Sequence, residues 1–222
     1  MADINSLIKH LARPREVYFL MVAYLFSLGF DRELSLAKIE DGLIKQLLIA
    51  ANTFLANLTS LGHPLNSLFL LATVYLVIRG LTGRSDRLGK DILAIFLSLC
   101  WIVELMSINL LLLAPIKDPK VLLLELLLFL PIITVSFTWW YWRLNYRSSI
   151  DDNSEVEQIT FKAPSSILNY FYLSVDALLK YQPSYASFNT KRAKLLHLFH
   201  AIIKINLLGL TLGRAVSLAT SS

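Results

Sequence analysis

Five polar residues run through one otherwise apolar stretch near the C-terminus: His197, His200, Lys204, Thr211 and Arg214, spaced three, four, seven and three. On a helix turning about 100° per residue they share about a quarter-turn arc, a polar stripe. Ionisable groups at membrane depth are costly unless paired or wet, which makes each a functional candidate. Glu104, Glu125 and Asp176 join them on the same ground. Such a stripe either lines a water-filled path or serves as internal glue, with Lys204 paired to Glu104 and the remainder snorkelling. The His197 and His200 spacing permits a metal, but no Cys or Asp completes a set, so no metal is expected. There is no GxSxG, HExxH, P-loop or dinucleotide fingerprint; neither an enzyme nor a cofactor is expected.

The elements that position these residues belong to a membrane chain. Of 222 residues, 55% are hydrophobic and 17% charged, with a mean hydropathy of +0.57. Soluble domains run nearer about 25% charged. The net charge of +5 is explained by positive-inside loops and a lipid bilayer rather than by nucleic acid. The N-terminus carries Lys9, Arg13, Arg15 and Glu16 and lacks the pattern of a signal peptide. Cys100, the single cysteine, sits in a hydrophobic run and is expected to pack as a small apolar group.

The expected fold is all-α: a polytopic helical membrane protein with about four spans, one re-entrant or interfacial helix and an N-terminal helical hairpin. Residues 1–60 form a cytoplasmic or interfacial region. In it Leu36, Ile39, Leu43, Leu47, Ala50, Phe54 and Leu58 make one apolar face, while Lys38, Asp41 and Lys45 stay wet. Residues 61–222 form the membrane region, with spans Leu61–Ile78, Ile92–Ala114, Val121–Trp142 and Leu195–Leu218. Pro64 weakens the first, and "PIKDP" turns the second into the third. "RGLTGRSDRLGK" is a basic loop, and "WWYWR" reads as an interfacial aromatic belt. Residues 143–162 read as a polar, acidic loop. Asn206, Gly209 and Gly213 offer a face for close helix packing.

The segment 165–222 contains "YFYLSV", a polar turn, a basic "TKRAK" and a glycine-bearing helix. This order resembles the pore helix, filter and inner helix of two-transmembrane, potassium-channel-like pore domains. The filter position reads Lys180, Tyr181, Gln182, Pro183 and Ser184. Both glycines of that family's filter are replaced and Pro183 removes an N–H, so potassium selectivity is not carried over. The aromatic-glutamine-x-serine turn at Tyr181, Gln182 and Ser184 is similar to that of uncharacterised bacterial pore-loop-like integral membrane proteins. The resemblance implies a bacterial inner membrane or another energy-converting membrane, and a homo-oligomer of about four chains around one pore. Positive-inside counting instead puts the Arg79–Lys90 loop and Trp142–Arg147 on one cytoplasmic side, so a pore loop would enter from the cytoplasm. Two functions stay open: an oligomeric ion channel of relaxed or unknown selectivity, and a non-conducting membrane scaffold or assembly factor. Neither a transported species nor a named protein partner follows from the sequence.

Overall fold

A computed structural model of the chain describes residues 15–29, 41–60, 62–84, 86–113, 119–148, 157–162, 166–179, 183, 185–213 and 216. It is helical but for one short ribbon, and it divides into two compact units, Met1–Ile132 and Ile133–Ser222. The boundary falls inside a helix, because the N-terminal helices pack on residues 64–113.

In the first unit, α1 (Arg15–Gly29), α2 (Leu43–Thr59), α3 (Pro64–Leu81) and α4 (Arg87–Leu113) precede the first part of α5 (Pro119–Ser148). Pro64 starts α3 rather than weakening it. His63 is the N-cap, its Nδ1 accepting from Leu65 N at 3.3 Å, and proline at the first turn lacks only an N–H that would be orphaned anyway. The basic loop is a tight connection. Gly83 takes φ 77°, a left-handed conformation that glycine adopts without strain, and Gly89 N donates to Asp86 Oδ1 at 2.9 Å. The acid among the loop's bases thus caps α4.

The described N-terminal helices pack on the helices that follow them. On α1 the buried residues Val17, Leu20 and Tyr24 recur at helical spacing. Lys90 Nζ donates to Glu16 Oε2 at 2.6 Å at one end, and the Tyr24 hydroxyl donates to Asn66 at the other. With Asn66 in the first turn of α3 and Lys90 in that of α4, α1 lies alongside both helices for about 12 Å. Leu55 and Leu58 of α2 close on Cys100, with Phe96 and Val103 beside it. Cys100 is buried as a small apolar group.

The packing face of α2 differs from the expected one. Leu48, Leu55 and Leu58 are buried, while Leu43, Leu47 and Phe54 are exposed; Leu36 and Ile39 lie outside the described residues. Periodicity finds one apolar face when the other is polar, and beyond Lys45 α2 carries no charge. α3 repeats this, with Leu65, Leu68, Leu71, Val74 and Ile78 all outward. Among the described residues two helices are long and apolar enough to cross a membrane, Pro64–Leu81 and Arg87–Leu110.

The second unit holds the end of α5, then β1 (Ile159–Phe161), α6 (Ile167–Leu179), β2 (Ala186–Phe188), α7 (Lys191–Lys204) and a π-helical segment (Ile205–Leu212). β1 and β2 pair antiparallel, Thr160 opposite Ser187. The ribbon corrects the reading of 143–162 as loop throughout; three-residue strands carry no periodicity to detect. α6 buries Tyr170, Leu173, Ser174, Ala177 and Leu178, one face at helical spacing. The "WWYWR" belt also needs correction: Trp139 and Tyr141 are 2% and 0% exposed. Trp140, Trp142 and Arg143 keep partial exposure.

Candidate functional site

The ribbon sets where α7 begins. Asn189 Nδ2 donates to Glu157 O at 2.9 Å and to Thr160 Oγ1 at 2.7 Å. Thr190, the N-cap, accepts from Ala193 N and donates to Gln158 Oε1, each at 3.3 Å. Two turns later the helix presents His197 and His200 to α5 and β2. His200 is fully buried and stacks on Phe137 with ring centroids 3.8 Å apart and planes 7° from parallel. His197 stacks on Phe188 at 4.4 Å.

Tyr141 joins the two rings. Its hydroxyl lies 3.3 Å from His197 Nδ1 and 3.1 Å from His200 Nδ1. One hydroxyl has one proton to give and lone pairs to accept with. One Nδ1 therefore accepts from Tyr141 and the other donates to it, so the neutral rings hold opposite tautomers. The buried Nε2 of His200 has no hydrogen-bond partner. A buried lone pair without a partner is tolerated more often than an orphaned N–H, which puts the proton of His200 on Nδ1 and makes His197 the acceptor.

One turn further along α5, Asn145 forms a second polar joint. Its Oδ1 accepts from Ile159 N at 3.0 Å, while Nδ2 donates to Ile159 O and to the Tyr170 hydroxyl, both at 2.9 Å. Ser174 ties α6 to α5 by donating to Thr134 O at 2.8 Å. Sequence reasoning missed Tyr141 and Asn145, although the signal was present. Thr134, Thr138, Tyr141 and Asn145 recur at four, three and four on an apolar helix, a polar row of the same kind as the stripe of the last helix.

The stripe does not continue as one α-helical face. Lys204, half-buried, is the last residue of α7. The π segment follows, with wider turns, so the step from Lys204 to Thr211 loses its α-helical phase. The side chain of Thr211 lies outside the described residues, as does Arg214. Asn206 is half-buried. A Cβ on Gly209 would meet only Ile205, at 3.9 Å, and one on Gly213 nothing within 4 Å, so this glycine face packs on no helix among the described residues. Of the filter-like residues, Pro183 is buried; Lys180, Tyr181, Gln182 and Ser184 lie outside the described residues. Glu104 is buried on α4, in the first unit. Glu125 lies on α5 with its side chain outside the described residues.

Asp176 belongs to a separate concavity. A cavity of about 310 Å³ is lined by Phe161, Lys162, Asn169, Tyr172, Asp176 and Tyr185. Burial, then the adjoining Asp176 carboxylate, pushes the Tyr185 phenol up to about 12, since both disfavour a second negative charge. Among the described residues no cluster of His, Cys, Asp and Glu could hold a metal ion. No family model, curated protein or solved structure matches the chain.

Proposed function

We propose that the chain is an integral membrane protein of about four spans, Leu61–Ile78, Ile92–Ala114, Val121–Trp142 and Leu195–Leu218, working as a non-conducting scaffold or assembly factor. The observation that carries this reading is the burial of His200. The histidine end of the stripe is taken up inside its own unit by Phe137, Phe188 and Tyr141, where a pore wall would need it facing water. The outward apolar rows on α3 and α4 support lipid contact, since a soluble chain rarely exposes such continuous faces.

A second reading, an oligomeric pore-loop channel of unknown selectivity, is favoured by one observation. α6 ends at Leu179, directly before the filter-like turn, and α7 follows, the order of pore helix, filter and inner helix. Reconstitution into liposomes separates the two. The scaffold reading expects no protein-dependent flux of potassium, sodium or chloride from wild type or Lys204→Glu. A flux whose ion preference changes in Lys204→Glu contradicts it and selects the channel.

A further inference from the structure

The C-terminal end of α3 carries a cation that no acid of its unit neutralises. Arg79 is half-buried, and its guanidinium lies over the Tyr75 ring, Cζ 5.7 Å from the centroid. Side chains on a helix lean toward the helix N-terminus. Arg79 therefore reaches back one turn along the apolar span instead of out past Leu81. Its Nε is buried without a hydrogen-bond partner, and among the described residues no carboxylate forms an ion pair with it. A ring face attracts a cation but leaves its charge in place.

The helix cap brings a second cation alongside. Arg84 N donates to Arg79 O at 3.0 Å, and Gly83 N donates to Gly80 O at 3.1 Å. With Gly83 left-handed, this is the pairing of a Schellman cap, which folds the chain back over the last helical turn. Arg84 is exposed and, among the described residues, makes no ion pair either. Two neighbouring charges of the loop are already engaged: Lys90 with Glu16, and Asp86 with Gly89 N. Along α3 from the arginines runs an exposed apolar row, Leu71, Val74, Tyr75 and Ile78, at i, i+3, i+4 and i+7. Positive charge at the end of a lipid-facing wall matches the build of a phospholipid, phosphate at the interface and chains alongside.

We propose that Arg79 and Arg84 hold the phosphodiester of one anionic phospholipid, of the phosphatidylglycerol class, with its acyl chains along Leu71, Val74 and Ile78. The proposal rests on the reading of α3 as a membrane span. Guanidinium groups suit phosphate oxygens in charge and in planar geometry. A choline headgroup would bring a third cation to the two arginines. Free phosphate would leave the apolar row without an occupant.

The test titrates the full chain in maltoside detergent with phosphatidylglycerol and with phosphatidylcholine, counting bound lipid by native mass spectrometry. One phosphatidylglycerol should bind about tenfold tighter than phosphatidylcholine. Arg79→Gln should abolish that preference, and Arg84→Gln, at an exposed position, should reduce it about threefold. Lys162→Gln removes an exposed cation from the other unit and should leave the preference unchanged. Arg84→Gln carries the test even where Arg79→Gln does not fold. Equal affinity for the two lipids, an equal loss in Lys162→Gln, or displacement of phosphatidylglycerol by inorganic phosphate would overturn the site while leaving the membrane reading intact. A wild-type chain that stays monodisperse without detergent and takes up neither lipid would overturn the membrane reading and the site together.

Discussion

The two units are held together by different physics. Between its helices the first, Met1–Ile132, relies on apolar contact: Leu55 and Leu58 against Cys100, and Tyr24 tilted over Phe69, which tilts over Phe96. Two polar ties between its helices, Tyr24 to Asn66 and Lys90 to Glu16, sit near helix ends. The second, Ile133–Ser222, is stitched through its middle. Asn145, Ser174, Thr190 and the Tyr141–histidine cluster each join elements distant in sequence. In an apolar medium, helices of the first kind gain no hydrophobic drive from one another and their packing is forgiving. Buried polar joints are not, because a lost partner leaves a desolvated group behind.

The largest break in this contrast should come from Asn145→Ala. Three buried hydrogen bonds go at once and Ile159 loses both of its partners, so a cost of about 3–5 kcal/mol is expected. Limited proteolysis should then cut near the ribbon while residues 64–110 stay protected. Equal protection of both regions would show that Asn145 is not the joint that holds the ribbon. Tyr141→Phe should cost less, about 1–3 kcal/mol, since the ring keeps its packing and only the shared hydroxyl is lost. Differential scanning fluorimetry reads it as a lowered midpoint, and an unchanged midpoint would mean the two histidines are satisfied without Tyr141.

On the apolar side the effects shrink. Lys90→Met should cost about 1–2 kcal/mol by leaving Glu16 without this partner. The double variant with Glu16→Gln should recover most of that loss. If the double change is as damaging as the single one, the pair contributes by packing rather than by charge. Gly209→Leu should be smallest. A Cβ there meets only Ile205, in ordinary contact, so stability should stay within about 0.5 kcal/mol of wild type. Any consequence belongs to association between chains, read as a change in detergent-corrected mass.

The helical class and the two clear membrane-length helices were legible in the sequence because length and hydropathy depend on single residues summed over a window. Faces were legible only where the opposite side is polar. α6 shows its buried face through spacing, whereas α2 is apolar nearly all round, so spacing alone does not tell its outward row from its inward one. Histidines 197 and 200 were found as candidates, yet what they do depends on Tyr141, 56 and 59 residues away. The spacing of Tyr141 with Thr134, Thr138 and Asn145 marks a polar face on its helix, but no local pattern says which rings that face meets. The ribbon was hidden for a related reason: its strands are three residues long, and Asn145, Asn189 and Thr190 specify it from outside.

The central claim is that the histidine end of the last helix is a closed, dry cluster inside one protomer. Nitrogen-15 spectra of histidine-labelled protein in nanodiscs at pH 8 test it most directly. The account predicts that Tyr141→Phe moves the signals of both His197 and His200. In the unaltered protein the two hold opposite tautomers, the proton of His200 on Nδ1 and that of His197 on Nε2, and the His200 proton shows no exchange with water. Two histidines averaging between tautomers, with His200 in rapid exchange with water, would contradict it.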